Sequence, residues 1–381
     1  MKYFLIAVLL AVSIYGCASG SKVKREPPAP LVNFSADKQV KELWSASIGT
    51  SGKKDDVKLM PYLDNNVLYT SDTQGRVSAF AADSGRRLWE TELRVAVTGA
   101  AGGGEGVVVV GTKKGRVIAL DMTNGKRLWT QNVSSEILAP AAVGSSVVVV
   151  QSIDGNLFGL SVTDGKRRWV YNRSEPALSL RGTSAPVIVD QYVLAGFASG
   201  KIAVIRLRDG RLVWEFAVSL PRGRNEIERL VDVDVTPLII GDTLYAAGYQ
   251  GKIVAVNLRS GRLLWSRDVS TYSGMSADRT NIYLSDEKGH IIALNQRTGS
   301  SVWKQDKLRG RSLNAPTYYN GYIAVGDYEG YVHWLSREDG HFVARRNVGG
   351  GAIRAQAVAG SDALYVASQG GTLFALRIVD K

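Results

Sequence analysis

Cysteine is almost absent from this sequence, whose 381 residues include a single one, Cys17. Internal disulfides, cysteine-based zinc sites and iron–sulfur clusters need more than one cysteine and are therefore excluded. Proline is also scarce, with 10 residues against 41 glycines. This balance is typical of a fold with many tight turns and argues against a proline-rich disordered chain.

Histidine is scarce too, and the sequence lacks the motifs of common catalytic and metal sites. The histidines have neither His-x-His nor His-Glu-x-x-His spacing: His290, His333 and His341. Asp232 and Asp234 lack the remaining ligands of a calcium loop. The glycine-rich run at 102–106 leads into a predicted strand instead of a helix, which disfavours a phosphate site. We therefore predict that the protein is not an enzyme and holds no metal or cofactor.

The first residues have the pattern of an export signal. A basic start at Lys2 is followed by an apolar run at 4–15 and then by small residues. This run is too short for a stable membrane-spanning helix, so residues 1–16 are predicted to be a secretory signal peptide. Residues 17–39 contain adjacent prolines and many polar side chains, and they are predicted to be a flexible tether.

The only cysteine follows this apolar run directly. Ile14, Gly16 and Cys17 resemble the lipobox of bacterial lipoproteins. The resemblance implies that Cys17 is lipidated and becomes the mature N-terminus, and Ala18 after it implies sorting to the outer membrane. Tyr15 departs from the pattern, which usually has a smaller residue there. An ordinary signal peptide with an unrelated cysteine is the alternative.

Basic residues exceed acidic ones by 47 to 35, which gives a formal net charge of +12. Such an excess can indicate nucleic-acid binding, but an exported protein meets little nucleic acid, so none is predicted as a partner. The basic residues are dispersed along the sequence, which favours an ordinary solvated surface. Weak attraction to anionic lipid headgroups is the alternative.

Most of the chain is a repeat with a period of about 40 residues. A glycine followed by alternating apolar residues recurs at Gly75, Gly115, Gly155, Gly200, Gly251, Gly289, Gly330 and Gly371. A tryptophan follows the first six of them by 14 residues: Trp89, Trp129, Trp169, Trp214, Trp265 and Trp303. Several copies begin with a proline, which suits a strand at the blade edge beside a central channel: Pro61, Pro140, Pro186, Pro237 and Pro316. A repeat of this length with short strands and glycine turns is the signature of a β-propeller blade.

The ends of the repeat array predict how the ring closes. The eighth copy has no tryptophan before the chain ends at Lys381, whereas an unmatched Trp44 precedes the first full copy. We therefore predict that residues 43–45 lie in the outer strand of the last blade. The predicted fold is all-β, a single eight-bladed propeller over residues 40–381 with four-stranded antiparallel blades. Its ring is closed by N- and C-terminal strands, and helices are nearly absent.

The seventh copy departs from the repeat. Ala344 occupies the tryptophan position, and Trp334 stands where the other copies have alanine, glycine or valine. We interpret Trp334 as a local packing substitution. A role in a functional surface is the alternative.

Two long intervals between repeats are consecutive, 45 and 51 residues against 38 to 41 elsewhere. Their extra length lies between the outer strand of one blade and the inner strand of the next, so both insertions are expected side by side on one face. In the first insertion, Leu178 and Leu180 are separated by one residue and precede Arg181. In the second, Asp232 and Asp234 are also separated by one residue, so each pair is expected on one side of an extended stretch. We predict that these five residues form a partner-binding patch, because apolar side chains ringed by charges are typical of interfaces. The alternative is that the leucines join the core and Arg181 pairs with an internal aspartate.

Two resemblances to known families follow from these features. The repeat resembles that of pyrroloquinoline-quinone dehydrogenases, as in Leu120-Asp-Met-Thr-Asn-Gly125-Lys-Arg-Leu-Trp129, which implies the fold over residues 41–381 but not the chemistry. The segments 178–182, 226–234 and 326–334, with the lipobox-like start and eight blades without another domain, are similar to the BamB family. Members of that family are lipoprotein propellers of the machinery that inserts β-barrels into the bacterial outer membrane.

The second resemblance implies a function. The protein would be a non-enzymatic scaffold without a cofactor, anchored by lipid at the periplasmic face of the outer membrane of a Gram-negative bacterium. Its partners would be the POTRA domains of BamA and other subunits of the Bam complex. The residues in contact with BamA would be Leu178, Leu180, Arg181, Asp232 and Asp234. Unfolded outer-membrane proteins are a further expected partner, if their strands pair with exposed blade edges.

Two other functions remain open at this point. A quinone-dependent periplasmic dehydrogenase would use the same repeats, although those enzymes commonly have a vicinal disulfide that Cys17 alone cannot form. A propeller of the cell envelope that binds a glycan or another ligand in its channel is the other possibility.

Overall fold

The computed structural model describes residues 27–49, 57–173, 176, 182–221, 224–225 and 228–381. These residues form 32 strands and no helix, so none of them belongs to a helix that could cross a membrane. The strands assemble into eight four-stranded sheets, and every neighbouring pair of strands in a sheet is antiparallel. The predicted eight-bladed propeller is therefore confirmed.

The first four blades are consecutive in the chain. Blade 1 contains β2 (Tyr62–Asp64), β3 (Val67–Ser71), β4 (Arg76–Ala81) and β5 (Arg87–Glu92). Blade 2 contains β6 (Val97–Gly104), β7 (Val107–Thr112), β8 (Arg116–Asp121) and β9 (Arg127–Asn132). Blade 3 contains β10 (Ala142–Gly144), β11 (Val147–Gln151), β12 (Leu157–Ser161) and β13 (Arg167–Tyr171). Blade 4 contains β14 (Val187–Val189), β15 (Tyr192–Gly196), β16 (Lys201–Arg206) and β17 (Leu212–Ala217).

The last four blades include the one that closes the ring. Blade 5 contains β18 (Leu238–Ile240), β19 (Thr243–Ala247), β20 (Lys252–Asn257) and β21 (Leu263–Asp268). Blade 6 contains β22 (Met275–Ala277), β23 (Asn281–Ser285), β24 (Ile291–Asn295) and β25 (Ser301–Gln305). Blade 7 contains β26 (Thr317–Tyr319), β27 (Tyr322–Gly326), β28 (Tyr331–Ser336) and β29 (Phe342–Asn347). Blade 8 contains β30 (Val358–Ala359), β31 (Leu364–Ala367), β32 (Thr372–Asp380) and, as its outer strand, β1 (Lys38–Ser47).

The middle strands of each blade form the core. All six residues of β7 are buried, because each face of the blade packs against a neighbouring blade. The outer strand β9 is instead mostly exposed, and Trp129 is its one buried residue. The core is therefore divided into apolar layers between blades, as in the cluster that joins Val109 and Val117 to Val148 and Leu160 of the next blade.

Each outer-strand tryptophan locks its blade to the next one. The indole of Trp129 packs against Gly165, whose backbone has a φ of +70°, and a Cβ there would lie 2.5 Å from the ring. Its Nε1 donates a hydrogen bond to the carbonyl of Val162, 2.7 Å away. Seven indoles donate to a carbonyl of the next blade in this way: Trp44, Trp89, Trp129, Trp169, Trp214, Trp265 and Trp303. The repeat conserves this spacing because glycine alone leaves room for the ring.

The N- and C-terminal strands close the ring as predicted. β1 pairs with β32 from Lys38 opposite Asp380 to Ser47 opposite Thr372. Trp44 completes the closure, since its indole donates to the carbonyl of Ala82 in blade 1.

In the seventh blade the tryptophan lies on the third strand instead of the fourth. Elsewhere a small residue of the third strand faces the tryptophan of the fourth, as Ala293 faces Trp303, whereas in blade 7 Trp334 faces Ala344. Blade 8 takes its outer strand from the N-terminus, so it has no turn from third to fourth strand that could present a docking glycine. Trp334, which is fully buried, fills the layer between blades 7 and 8 instead. The interpretation as a packing substitution is confirmed.

The segment that precedes β1 is held against the ring. The amide of Ala29 donates to the carbonyl of Arg309, and the amide of Asp37 donates to the carbonyl of Val343. Between them, the ring of Phe34 stacks on Phe342 with centroids 5.4 Å apart. The prediction of a flexible tether over residues 17–39 is therefore wrong for residues 29–39, since the last two already belong to β1. Their alternating apolar side chains cover a groove between blades 6 and 7.

Candidate functional site: the insertion face

One face of the ring carries every connection from one blade to the next. In blade 4 the amide of Val218, which begins such a connection, donates to the carbonyl of Gly200 in the turn between β15 and β16. The turns between second and third strands therefore lie on this face as well. The two long connections, 172–186 and 218–237, leave the ring side by side here. We call this side of the ring the insertion face.

The two insertions meet at one point in the described structure. A Cβ on Gly182 would lie 2.4 Å from the Oδ2 of Asp234. The carboxylate of Asp234, in the second insertion, therefore contacts the backbone of the first insertion. Leu178, Leu180 and Arg181 lie outside the described residues. Gly182, which follows Arg181 in the sequence, is the described residue of the first insertion that meets Asp234.

The two predicted carboxylates differ in depth. Asp234 is partly buried, whereas Asp232 is only 1% exposed. Hydrogen bonds hold this stretch between two blades, because the amide of Val233 donates to the carbonyl of Phe197 and the amide of Tyr249 donates to the carbonyl of Asp232. The structure thereby corrects the sequence interpretation in one detail: the side chain of Asp232 lies beneath the surface and not on it.

The insertion face also exposes large apolar side chains. Most such residues in the described structure lie on outer strands, but three lie on this face: Leu220, Tyr272 and Tyr328. Leu220 is the most exposed of them, at 61%. Exposed aromatic residues are enriched at protein interfaces. Sequence reasoning missed these positions, although two of them are aromatic residues in connections or turns.

Two small cavities on this face are lined by described residues. One, of about 10 Å³, lies between the turns of blades 3 and 4 and is lined by Ser152, Gly182 and Asp234. Another, of about 20 Å³, is lined by Ile48, Leu59 and other residues near the ring closure. Small-molecule sites usually enclose several hundred Å³. Each of these two cavities is far smaller than such a site.

Blade 7 contains a buried group of charged side chains that the sequence did not reveal. Asp327 and His333 have no exposed side-chain surface, and Arg311 is 3% exposed. Asp327 accepts hydrogen bonds from Arg311 Nε at 2.8 Å and from His333 Nε2 at 2.9 Å. Arg345 Nε donates to His333 Nδ1 at 3.1 Å. We call these four residues the blade-7 cluster.

The hydrogen bonds of this cluster fix its protonation. Because Arg345 donates to Nδ1, the ring proton of His333 lies on Nε2, facing Asp327. Burial lowers the pKa of His333, which keeps the imidazole neutral. Burial would raise the pKa of Asp327, but the hydrogen bonds from His333 and Arg311 outweigh it and leave this pKa below its ordinary value. Arg311, Asp327 and His333 are closed to solvent and bonded to one another, and the partly buried Arg345 bonds His333 from outside. The cluster has the geometry of a structural element.

The other two histidines are bonded to aspartates in nearby turns. Nδ1 of His290 lies 2.6 Å from Asp286, and Nδ1 of His341 lies 2.6 Å from Asp339. No group of three or more histidine, cysteine, aspartate or glutamate side chains in the described part of the chain could hold a metal ion.

Comparisons with known proteins agree with the geometry. A family model described as outer membrane protein assembly factor BamB matches residues 73–305. The outer membrane protein assembly factor BamB of Pseudomonas aeruginosa is 46% identical over 370 residues, which is 97% of each chain. The protein of the same name from Escherichia coli K12 is 32% identical over 390 residues, which is 99% of each chain.

Solved structures show the same likeness. The crystal structure of BamB from Moraxella catarrhalis has a TM-score of 0.81 at 29% identity and covers 89% of this chain and 100% of that one. A quinohemoprotein alcohol dehydrogenase from Comamonas testosteroni has a TM-score of 0.69 at 13% identity, over 88% of this chain and 76% of the enzyme. At that identity the likeness shows the fold alone.

Proposed function

Because this chain belongs to the BamB family of outer membrane protein assembly factors, we propose that its insertion face binds the POTRA domains of BamA. The protein acts as a non-enzymatic scaffold that holds those domains in position within the Bam complex. The proposed contact residues are Leu178, Leu180, Arg181 and Asp234, while the buried Asp232 supports the segment beneath them.

One observation carries this proposal: the two insertions touch where Gly182 rests on Asp234. Residues that are about 50 positions apart in the sequence thereby form one surface. Leu220, in the second insertion, is exposed on the same face of the ring. An apolar spot beside fixed charges fits the composition of a protein interface.

A scaffold role also agrees with the connection that joins the last blade to the first. Val57 and Leu59 in this connection are buried, and Lys58 Nζ donates to the carbonyl of Tyr272 at 3.2 Å. Tyr272 belongs to the connection between blades 5 and 6, so residues 57–59 reach over the insertion face towards that side of the ring. This supports a function on the surface of the ring in preference to ligand binding within its channel.

We place the protein at the periplasmic face of the outer membrane, anchored by lipid on Cys17. The family name supports an association with the outer membrane. The lipobox-like stretch Ile14–Cys17 supports the anchor, although it lies outside the described residues.

Charge reversal at Arg181 tests the binding surface. We expect Arg181→Glu to weaken binding to the POTRA domains by about 100-fold or more, because an arginine in an interface is replaced by a charge of the wrong sign. Calorimetric titration of the protein beginning after Cys17 with the POTRA domains of the cognate BamA measures this. Arg168→Glu, an exposed reversal on the outer strand of blade 3, is the matched control and should bind like the wild type. Absence of wild-type binding would refute the proposal.

Unfolded outer-membrane proteins are the second proposed partner, through the outer strands. These strands have an unpaired edge and exposed apolar residues such as Leu128 and Leu212. A photo-reactive residue at Leu128 should therefore cross-link to unfolded client chains, whereas one at the exposed turn residue Asn124 should not. Equal labelling from both positions would contradict pairing along the strand.

A further inference from the structure

The segment before β1 occupies a site built for it on blade 7. Its two ends are fixed by backbone hydrogen bonds, from Ala29 to the carbonyl of Arg309 at 2.9 Å and from Asp37 to the carbonyl of Val343 at 3.0 Å. Val32 and Phe34, between these ends, pack into the apolar layer shared by blades 6 and 7. The segment is thus held along its length and not only at one point.

Two arginines of the blade-7 cluster bind this segment directly. Arg311 Nη1 donates to the carbonyl of Ala29 at 3.1 Å, and Arg345 Nη1 donates to the carbonyl of Val32 at 3.0 Å. The guanidinium of Arg345 also lies 5.0 Å from the ring centroid of Phe34. Both arginines therefore form hydrogen bonds to the blade and to the segment.

The rest of the cluster holds these two cations in place. Asp327 bonds the Nε of Arg311, and His333 bonds the Nε of Arg345. The Nη2 of Arg311 bonds Glu329, and each guanidinium directs its Nη1 towards the groove in which the segment lies. Because buried cations require partners, an empty groove would leave donors of both arginines without acceptors. The cluster thus makes occupation of the groove favourable.

The position of this groove determines where the chain leaves the ring. A Cβ on Gly310 would lie 3.2 Å from the Cα of Pro28. Gly310 belongs to the connection between blades 6 and 7, which is part of the insertion face. The nine residues 18–26 that separate Cys17 from Pro27 span at most about 32 Å when fully extended.

We propose that the groove of blade 7 is a docking site for the segment that carries the membrane anchor, so that the anchor always leaves the ring on the insertion face. This inference rests on the proposed lipid at Cys17. The docked segment holds the insertion face closer to the membrane than the opposite face. It thereby presents the partner-binding surface in one orientation.

Hydrogen exchange tests the dock itself. Phe34→Ser removes the ring from the groove without changing the blades, and Asn33→Ser changes an exposed neighbour. In the full-length lipoprotein we expect the amides of Ala29 and Asp37 to exchange at least tenfold faster in Phe34→Ser. They should exchange as in the wild type in Asn33→Ser, and β27 and β28 should be unaffected in both variants. Unchanged exchange in Phe34→Ser would refute the dock.

Energy transfer to labelled lipids tests the orientation. A donor dye on Lys288→Cys lies on the insertion face, and one on Thr298→Cys lies at the other end of β24, on the opposite face. In nanodiscs that contain acceptor lipids, we expect more transfer from position 288 than from position 298. The difference should shrink when Phe34→Ser is added. Equal transfer in the parent protein, or a difference that survives loss of the dock, would overturn the proposal.

These measurements are separable from the proposed function. Phe34 lies outside the insertions, so Phe34→Ser should bind the isolated POTRA domains as the wild type does. A protein that keeps its exchange protection and its orientation but binds no POTRA domain would contradict the proposed function and leave the dock intact. A protein without lipid at Cys17 would fail the orientation measurement alone, and this would overturn the proposed role of the dock in placing the anchor.

Discussion

Replacement of Trp129 by alanine is expected to lower the free energy of unfolding by about 3–5 kcal/mol. The indole is 8% exposed and lies in the apolar layer between blades 2 and 3. Its removal leaves a cavity over Gly165 and withdraws the donor that bonds the carbonyl of Val162. Chemical denaturation followed by far-ultraviolet circular dichroism measures the change.

Neighbouring variants separate the contributions of this tryptophan. Leu128→Ala removes a side chain that is 48% exposed next to Trp129, and it should change stability by less than about 0.5 kcal/mol. Trp129→Phe keeps an aromatic ring but loses the hydrogen bond, so its effect should lie between the other two. A Trp129→Ala protein as stable as Leu128→Ala would show that the indole does not lock the blades together.

Asp327→Asn is expected to destabilise the protein by about 3 kcal/mol, because it removes the buried one of the two carboxylates that bond Arg311 and leaves this buried guanidinium with the more exposed Glu329. The carboxylate also accepts bonds from the amides of Glu329 and Tyr331 at 2.9 and 3.0 Å. An asparagine Oδ1 can still accept those two bonds. The loss should therefore report mainly the charge that faces Arg311 and His333.

Asp72→Asn is the matched control for this prediction. Asp72 lies in blade 1 in the turn that corresponds to that of Asp327 in blade 7, between the second and third strands. It accepts hydrogen bonds from the backbone amides of Gln74 and Arg76 at 3.0 and 2.8 Å. No side-chain cation is bonded to it within the described residues. Asp72→Asn should lower the free energy of unfolding by about 1 kcal/mol or less. Equal losses in the two variants would mean that the turn, and not the buried charge pair, determines the stability of this region.

The fold could be predicted from the sequence because the turn glycine, the apolar alternation and the tryptophan of each repeat all indicate the same blade. The spacing from Gly155 to Trp169 places a turn and an indole at fixed points of a blade, and the apolar alternation between them matches a strand. Even the departure at Trp334 and Ala344 was visible, since the two residues exchange sizes across one pair of strands. Because the same local pattern occurs eight times, few other topologies are compatible with it.

What the sequence did not predict depends on contacts between distant segments. Composition assigned the segment with Pro27 and Pro28 to a tether, but its docking on Arg311 and Arg345 requires blade 7, about 300 residues later. The depth of Asp232 was missed for the same reason, since alternation shows which side a residue faces and not what covers it. The alternating Val32 and Phe34 were the available signal for the docked segment.

The seam between β1 and β32 makes completion of the fold depend on the order in which the chain arrives. Lys38 and its partner Asp380 are 342 positions apart, so this pairing has the highest sequence separation in the ring and forms slowly. A chain delivered N-terminus first presents β1 as an unpaired edge until the last nine-residue strand, Thr372–Asp380, has followed. The eighth blade therefore closes only after β32 has been delivered, and a chain cut short before Thr372 leaves the ring open.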